Sequence, residues 1–213
     1  MPWRTAVFIV ALLLTLVSCD QSAPSSEPST TASPAVRELA TSPDPLPAGT
    51  YTRTGFEPPI TFQLDGSWSG VQLLDGFFDV QQNAGTAEVV AVQFGLPRAV
   101  YGAEDTTVDA TTAQGAAAAL AGNPTLEILG QNPAQVGGLE GTTIEVENAR
   151  EVHAGVLVVQ PGPLGIDPGR RLWIAFLDAP DGLLAIMVGG TVARWDDALS
   201  AAEPVLESVR IGP

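Results

Sequence analysis

The sequence predicts an α+β domain in which an antiparallel β-sheet is covered by packed helices. Three observations carry that expectation: short apolar runs broken by Gly-containing turns, one late hairpin that is apolar on both faces, and an amphipathic stripe near the C-terminus. Thr50 to Thr54, Ile60 to Leu64 and Trp68 to Leu74 alternate or run apolar, and Asp65-Gly66 and Asp75-Gly76 between and after them are hairpin signals. Phe77 to Gln81 and Glu88 to Phe94 extend the meander, the latter apolar enough for a central strand.

Thr111-Thr-Ala-Gln114 matches a capping box and opens an Ala-rich helix that Gly122 and Pro124 end. Strand patterns return at Leu126 to Gly130, Thr142 to Glu147 and Gly155 to Val159. Leu172 to Leu177 and Leu183 to Val188 flank Asp178-Ala-Pro-Asp-Gly182, the clearest hairpin in the chain. Both strands are apolar throughout, which requires cover on each face of the sheet. The last helix places Trp195, Ala198, Leu199, Ala202, Leu206 and Val209 on one stripe, with Asp196, Asp197 and Glu203 away from it. Pro204 interrupts it as a kink or a new turn, and a final short strand is expected within Ser208 to Ile211.

All nine basic residues are Arg, and 24 acidic residues give a net charge of −15. Lysine chemistry is therefore absent, from P-loops to Schiff bases. Nucleic acid is excluded as a partner, since it needs a positive patch, and anionic lipid headgroups are repelled for the same reason. A single cysteine makes no internal disulfide, so in an exported chain it needs another purpose.

Met1 to Arg4 is a short basic segment, and Ala6 to Val17 is an apolar run too short to span a bilayer. Leu16-Val17-Ser18-Cys19 closes it and resembles the lipobox of bacterial lipoproteins. That resemblance implies cleavage before Cys19 and a diacylglyceryl group on its thiol, a firm membrane anchor. It also implies export to the outer face of the cytoplasmic membrane. From Asp20 to Pro47 the chain is dominated by Ser, Thr, Pro and Ala, with six prolines and no apolar period, a composition that reads as a disordered tether. The expected organisation is thus a signal peptide at 1–18, the lipidated cysteine and tether at 19–47, and one globular domain at 48–213.

Within that domain, Ile60-Thr-Phe-Gln-Leu64 with Trp68, a central Val136-Gly-Gly-Leu-Glu-Gly141, the late hairpin and Pro204-Val-Leu-Glu-Ser-Val-Arg-Ile211 together resemble PsbP-like domains. The resemblance implies an antiparallel sheet sandwiched between helices, an α/β/α arrangement. It brings across no ligand or metal residue.

His153 is the sole histidine, so neither a structural zinc site nor a Ser-His-Asp triad is expected, and His153 reads as a surface or turn residue. No cofactor is implied. Asp65, Asp75, Asp79, Glu104, Asp105, Asp196 and Asp197 offer carboxylates without calcium-loop spacing. Gly162, Gly165 and Gly169 before Arg170-Arg171 read as a rigid, proline-interrupted loop with the arginines at its rim. Trp68, Phe77, Phe78 and Trp173, with Arg170 and Arg171, are the candidate ligand contacts, and buried sheet aromatics are the alternative reading of the first four. The expected function is a membrane-anchored, monomeric, non-catalytic binding or accessory module for a protein or small-molecule partner. The competing accounts are an envelope hydrolase, which needs two convergent carboxylates with one raised pKa, and a structural envelope lipoprotein.

Overall fold

The computed structural model describes residues 35–212. Leu16, Val17, Ser18 and Cys19 lie outside them, as do the rest of the expected signal segment and the tether as far as Pro34. The described chain begins with β1 (Arg37–Glu38), β2 (Gly49–Thr52), β3 (Ile60–Leu64), β4 (Ser69–Leu74) and β5 (Phe77–Gln82). It continues through β6 (Val90–Gly95), β7 (Ala99–Tyr101), β8 (Thr107–Val108), α1 (Ala113–Ala121), β9 (Glu127–Val136) and β10 (Leu139–Glu147). It ends with β11 (Ala154–Val159), β12 (Gly162–Ile166), β13 (Arg170–Ala179), β14 (Gly182–Thr191), α2 (Trp195–Ser208) and β15 (Arg210–Ile211). The architecture is α+β and mostly antiparallel, as the sequence predicts.

The strands form three sheets where one was expected. The central sheet has seven strands in the order β4-β5-β6-β14-β13-β10-β9, flanked by the four-stranded sheets β1-β2-β3-β15 and β12-β11-β7-β8. The physical reason lies in the late hairpin. β13 and β14 pair from Arg170↔Thr191 to Ala179↔Gly182, and every residue from Leu183 to Val188 is buried. Ala175, Leu177, Leu184, Ile186 and Val188 face one apolar cluster, while Ile174, Phe176, Leu183, Ala185 and Met187 face another. Two helices of 14 and nine residues are too small to roof both faces. Sheet β1-β2-β3-β15 completes the cover beside α2, and sheet β12-β11-β7-β8 does so beside α1.

On the α2 side the core centres on rings. Phe78 and Phe94 stack at 4.5 Å, Phe62 lies 5.4 Å from Phe94, and Phe56 meets Phe78 edge-on at 5.0 Å. Since Phe62 belongs to β3, this stack joins a flanking sheet to the central one. Gly190 on β14 lets α2 approach the sheet: a Cβ there would sit 2.7 Å from that of Ala198.

Three local expectations change. The cap of α1 is Thr112, one residue later than the box pattern indicates, and its hydroxyl accepts from Gly115 N at 3.1 Å. Asp178 Oδ1 accepts from Ala113 N at 2.7 Å and satisfies a second free amide of that helix end. The expected loop at 162–166 is strand β12, and Pro163 is tolerated because β12 is an edge strand. Pro204 sits on the exposed side of α2 without ending it.

The boundary at 47/48 also moves. Arg37 and Glu38 pair in parallel with Tyr51 and Thr52, Ser42 N donates to Gly70 O at 2.8 Å, and Leu46 N donates to Trp68 O at 2.7 Å. Leu39 and Leu46 are core residues at 1% and 8% exposure. Two isolated leucines among Ser and Pro show no period, yet their burial commits the segment to the fold. Leu39→Ala is expected to cost about 2–5 kcal/mol in chemical denaturation. A chain starting at Ala48 is expected to melt well below one starting at Ala35.

Candidate functional site

The six expected ligand contacts divide sharply. Trp68, Phe77 and Phe78 are at most 1% exposed and belong to the core, the alternative reading of these sheet aromatics, which leaves them no surface open to solvent. Arg170 is half-buried and donates to Val89 O at 3.1 Å, and burial lowers its pKa despite nearby Asp167. It ties β13 to the residue that leads into β6 and does not stand at a loop rim. Arg171 and Trp173 remain, two residues apart on β13, on the face that α2 partly covers.

Around them α2 and β13 form a seam. The Arg171 Nε and Glu145 Oε1 atoms lie 2.8 Å apart, both buried, in an ion pair whose angle falls outside hydrogen-bond geometry. The Arg171 guanidinium also stands over the Trp195 ring at 5.2 Å, a cation–π contact that fixes the start of α2 on the sheet. Further along, Trp173, Leu199, Ser200, Glu203, Leu206 and Glu207 line an open groove of about 340 Å³. Trp173, Leu199 and Leu206 are only partly buried and make its apolar floor, while Ser200, Glu203 and Glu207 are exposed.

The helical stripe explains the groove. Trp195, Ala198, Ala202 and Val205 point into the core, Leu199 and Leu206 lie on one flank of that stripe, and Glu203 and Glu207 follow outward on the same flank. The sequence places all its apolar members toward the core, and it misses Leu199, Leu206, Glu203 and Glu207 as a surface. A stripe wider than one helix can bury is the signal that finds them.

The charges along α2 are uneven. Asp196 and Asp197 stand in the first turn, where the helix dipole is positive, and Arg194 bridges Asp197 at 2.9 Å and Glu88 at 3.0 Å. Glu203 and Glu207 stand toward the negative end, four residues apart, with no basic residue in the last turn. Among the described residues neither forms an ion pair. Arg210, just past the helix, instead donates to the carbonyls of Glu207 at 3.0 Å and Val209 at 2.7 Å.

The other carboxylates are occupied differently. Asp79 is 1% exposed on β5 and fills the bulge of β4, accepting from Gln72 N and Gln81 Nε2, both at 2.7 Å. Burial raises its pKa above 3.8, and the hydrogen bonds offset part of that rise. Asp65 is exposed in a turn, where the Ser67 hydroxyl and amide lower its pKa. A cleft of about 600 Å³ is polar and includes Gln114, Glu140, Thr142 and Asp178, the last engaged at the start of α1. His153 pairs with Asp167 at 2.9 Å on the surface. Among the described residues no group of three His, Cys, Asp or Glu is placed to hold a metal.

No protein-family model matches the sequence, and no curated protein matches it. Similar solved structures include the cyanobacterial PsbP, CyanoP, of Synechocystis sp. PCC 6803, at 18% identity and a TM-score of 0.44, covering 77% of this chain and 92% of that one. They also include LpqN of Mycobacterium tuberculosis, described as involved in cell envelope biogenesis, at 10% identity and a TM-score of 0.37, covering 85% and 90%. Neither likeness carries the functional argument, which rests on the groove.

Asp79 yields a pH prediction. Its raised folded pKa means that the folded state holds the proton more tightly than the unfolded chain, whose group titrates near 3.8. Its contribution is therefore most favourable below that value, declines as pH rises through the folded pKa, and is constant above it. In urea melts across pH, Asp79→Asn is expected to gain stability relative to the parent as pH rises from about 4 toward neutrality. A difference that does not vary with pH would exclude a titrating Asp79.

Proposed function

We propose that the chain is a lipid-anchored, exported module that works by binding a partner, with Cys19 as the lipidated residue and the α2–β13 groove as the contact surface. The single observation that carries the reading is a solvent-open apolar floor of Trp173, Leu199 and Leu206 in a strongly acidic domain. An apolar floor with polar edges is the anatomy of a protein-binding patch, and a half-buried tryptophan is the side chain that most often dominates its energetics. The polar edges here are Ser200, Glu203 and Glu207.

The hydrolase account asks for a different surface. It needs two carboxylates facing one another across a cleft, one with its ionisation displaced upward. Asp79 is raised but pinned against the β4 bulge, and Asp178 is engaged with α1. The groove supports binding more directly.

Anchoring is motivated by the basic start, the short apolar run and Leu16-Val17-Ser18-Cys19, together with the acidity that rules out attachment by surface charge. Among the described residues no helix is long and apolar enough to cross a membrane. Cys19→Ser is expected to move the protein from the membrane fraction to the soluble or unprocessed pool on cell fractionation. Normal processing with retention on the membrane would refute the anchor. For the groove, cross-linking in the native host should recover a partner with the parent chain and lose it with Trp173→Ala, provided that variant still unfolds cooperatively.

A further inference from the structure

The groove is built at a cost to the helix that forms it. Glu203 and Glu207 are like charges at i and i+4, on one face and about 6 Å apart along the axis. They lie toward the end of α2 where the helix dipole is already negative and where stability favours Lys or Arg. The last turn supplies no cation; Arg210, just past it, donates to the carbonyls of Glu207 and Val209 and offsets part of the dipole, but it forms no ion pair with either glutamate. Pro204 adds to the imbalance, since it has no N–H to give the carbonyl of Ser200, another residue of the groove. Carboxylates and a carbonyl short of its helical donor thus border an apolar floor, with no opposing positive charge among the groove residues.

We propose that this groove docks a basic polypeptide segment, which seats a large apolar side chain against Trp173, Leu199 and Leu206 and brings Lys or Arg to Glu203 and Glu207. The inference rests on the binding reading above and adds the chemistry of the partner. Charge complementarity selects it, because a cationic segment relieves the repulsion that the free helix bears. Residues 20–34 of this chain hold Asp20 and Glu27 and no basic residue, so they do not qualify. A second copy would present the same acids, and an anionic membrane would be repelled.

The test selects a phage-displayed random peptide library on the immobilised full chain in detergent, then measures synthetic versions of the selected peptides by tryptophan fluorescence. Peptides whose binding is lost with Trp173→Ala are expected to carry a large apolar residue flanked by Lys or Arg. The paired change Glu203→Gln and Glu207→Gln is expected to weaken them roughly three- to tenfold, with a similar loss on raising the salt. The same change is expected to raise the Tm of the free protein by about one to three degrees, so stability and affinity move in opposite directions. If Trp173→Ala disturbs folding, Leu199→Gln serves as the groove variant. Groove-dependent peptides that are neutral or acidic, or basic ones indifferent to the paired change, would overturn the inference and leave the binding reading standing. Failure to recover any peptide sensitive to either groove variant would overturn both.

Discussion

The whole fold depends on burying both faces of the β13–β14 hairpin. A strand pair with apolar side chains in both directions has no solvent side, so each face needs a separate roof. α1 and sheet β12-β11-β7-β8 form one roof, and α2 with sheet β1-β2-β3-β15 forms the other. α2 lies chiefly over β14, β6 and β3, and Gly190 lets it come close. Its flank therefore ends above β13, where Trp173 emerges half-covered. The candidate groove is the place where that second roof stops.

Local patterns carry most of what the sequence reveals. The 172–188 hairpin, the 60–64 strand and both helices are legible because alternation, Asp-Gly turns and the 3.6-residue stripe each act within a few residues. The partition into three sheets is not legible, because Phe62 and Phe78 show the same alternation whether they share a sheet or face each other across a core. Trp68, just ahead of β4, and Trp173, on β13, likewise both lie in apolar runs of sequence. Only the packing of distant elements buries the first, beside Leu46, and leaves the second half open at the flank of α2.

The contrast within α2 is a conflict between stability and surface chemistry. Its first turn follows the electrostatic preference of helices, with Asp196, Asp197 and bridging Arg194, and its Arg171–Trp195 contact secures that end to the sheet. Its second half departs from the preference at Glu203 and Glu207. Such departures gather at sites retained for something other than stability. The secured end and the unfavourable end belong to one rigid rod, so the groove is held in place by contacts that do not line it.

The entry of the chain into the fold has a mechanical side. β1 is a two-residue parallel pairing at the edge of its sheet, and directly behind it Leu39 and Leu46 plug the core beside Trp68 and Tyr51. A pull delivered from the N-terminal side meets this pairing first and then those leucines, while β13, β14 and α2 lie deeper in the fold. Load applied there would therefore peel β1 and withdraw two side chains before it reached the α2–β13 seam, so the stretch 37–46 stands mechanically ahead of the groove.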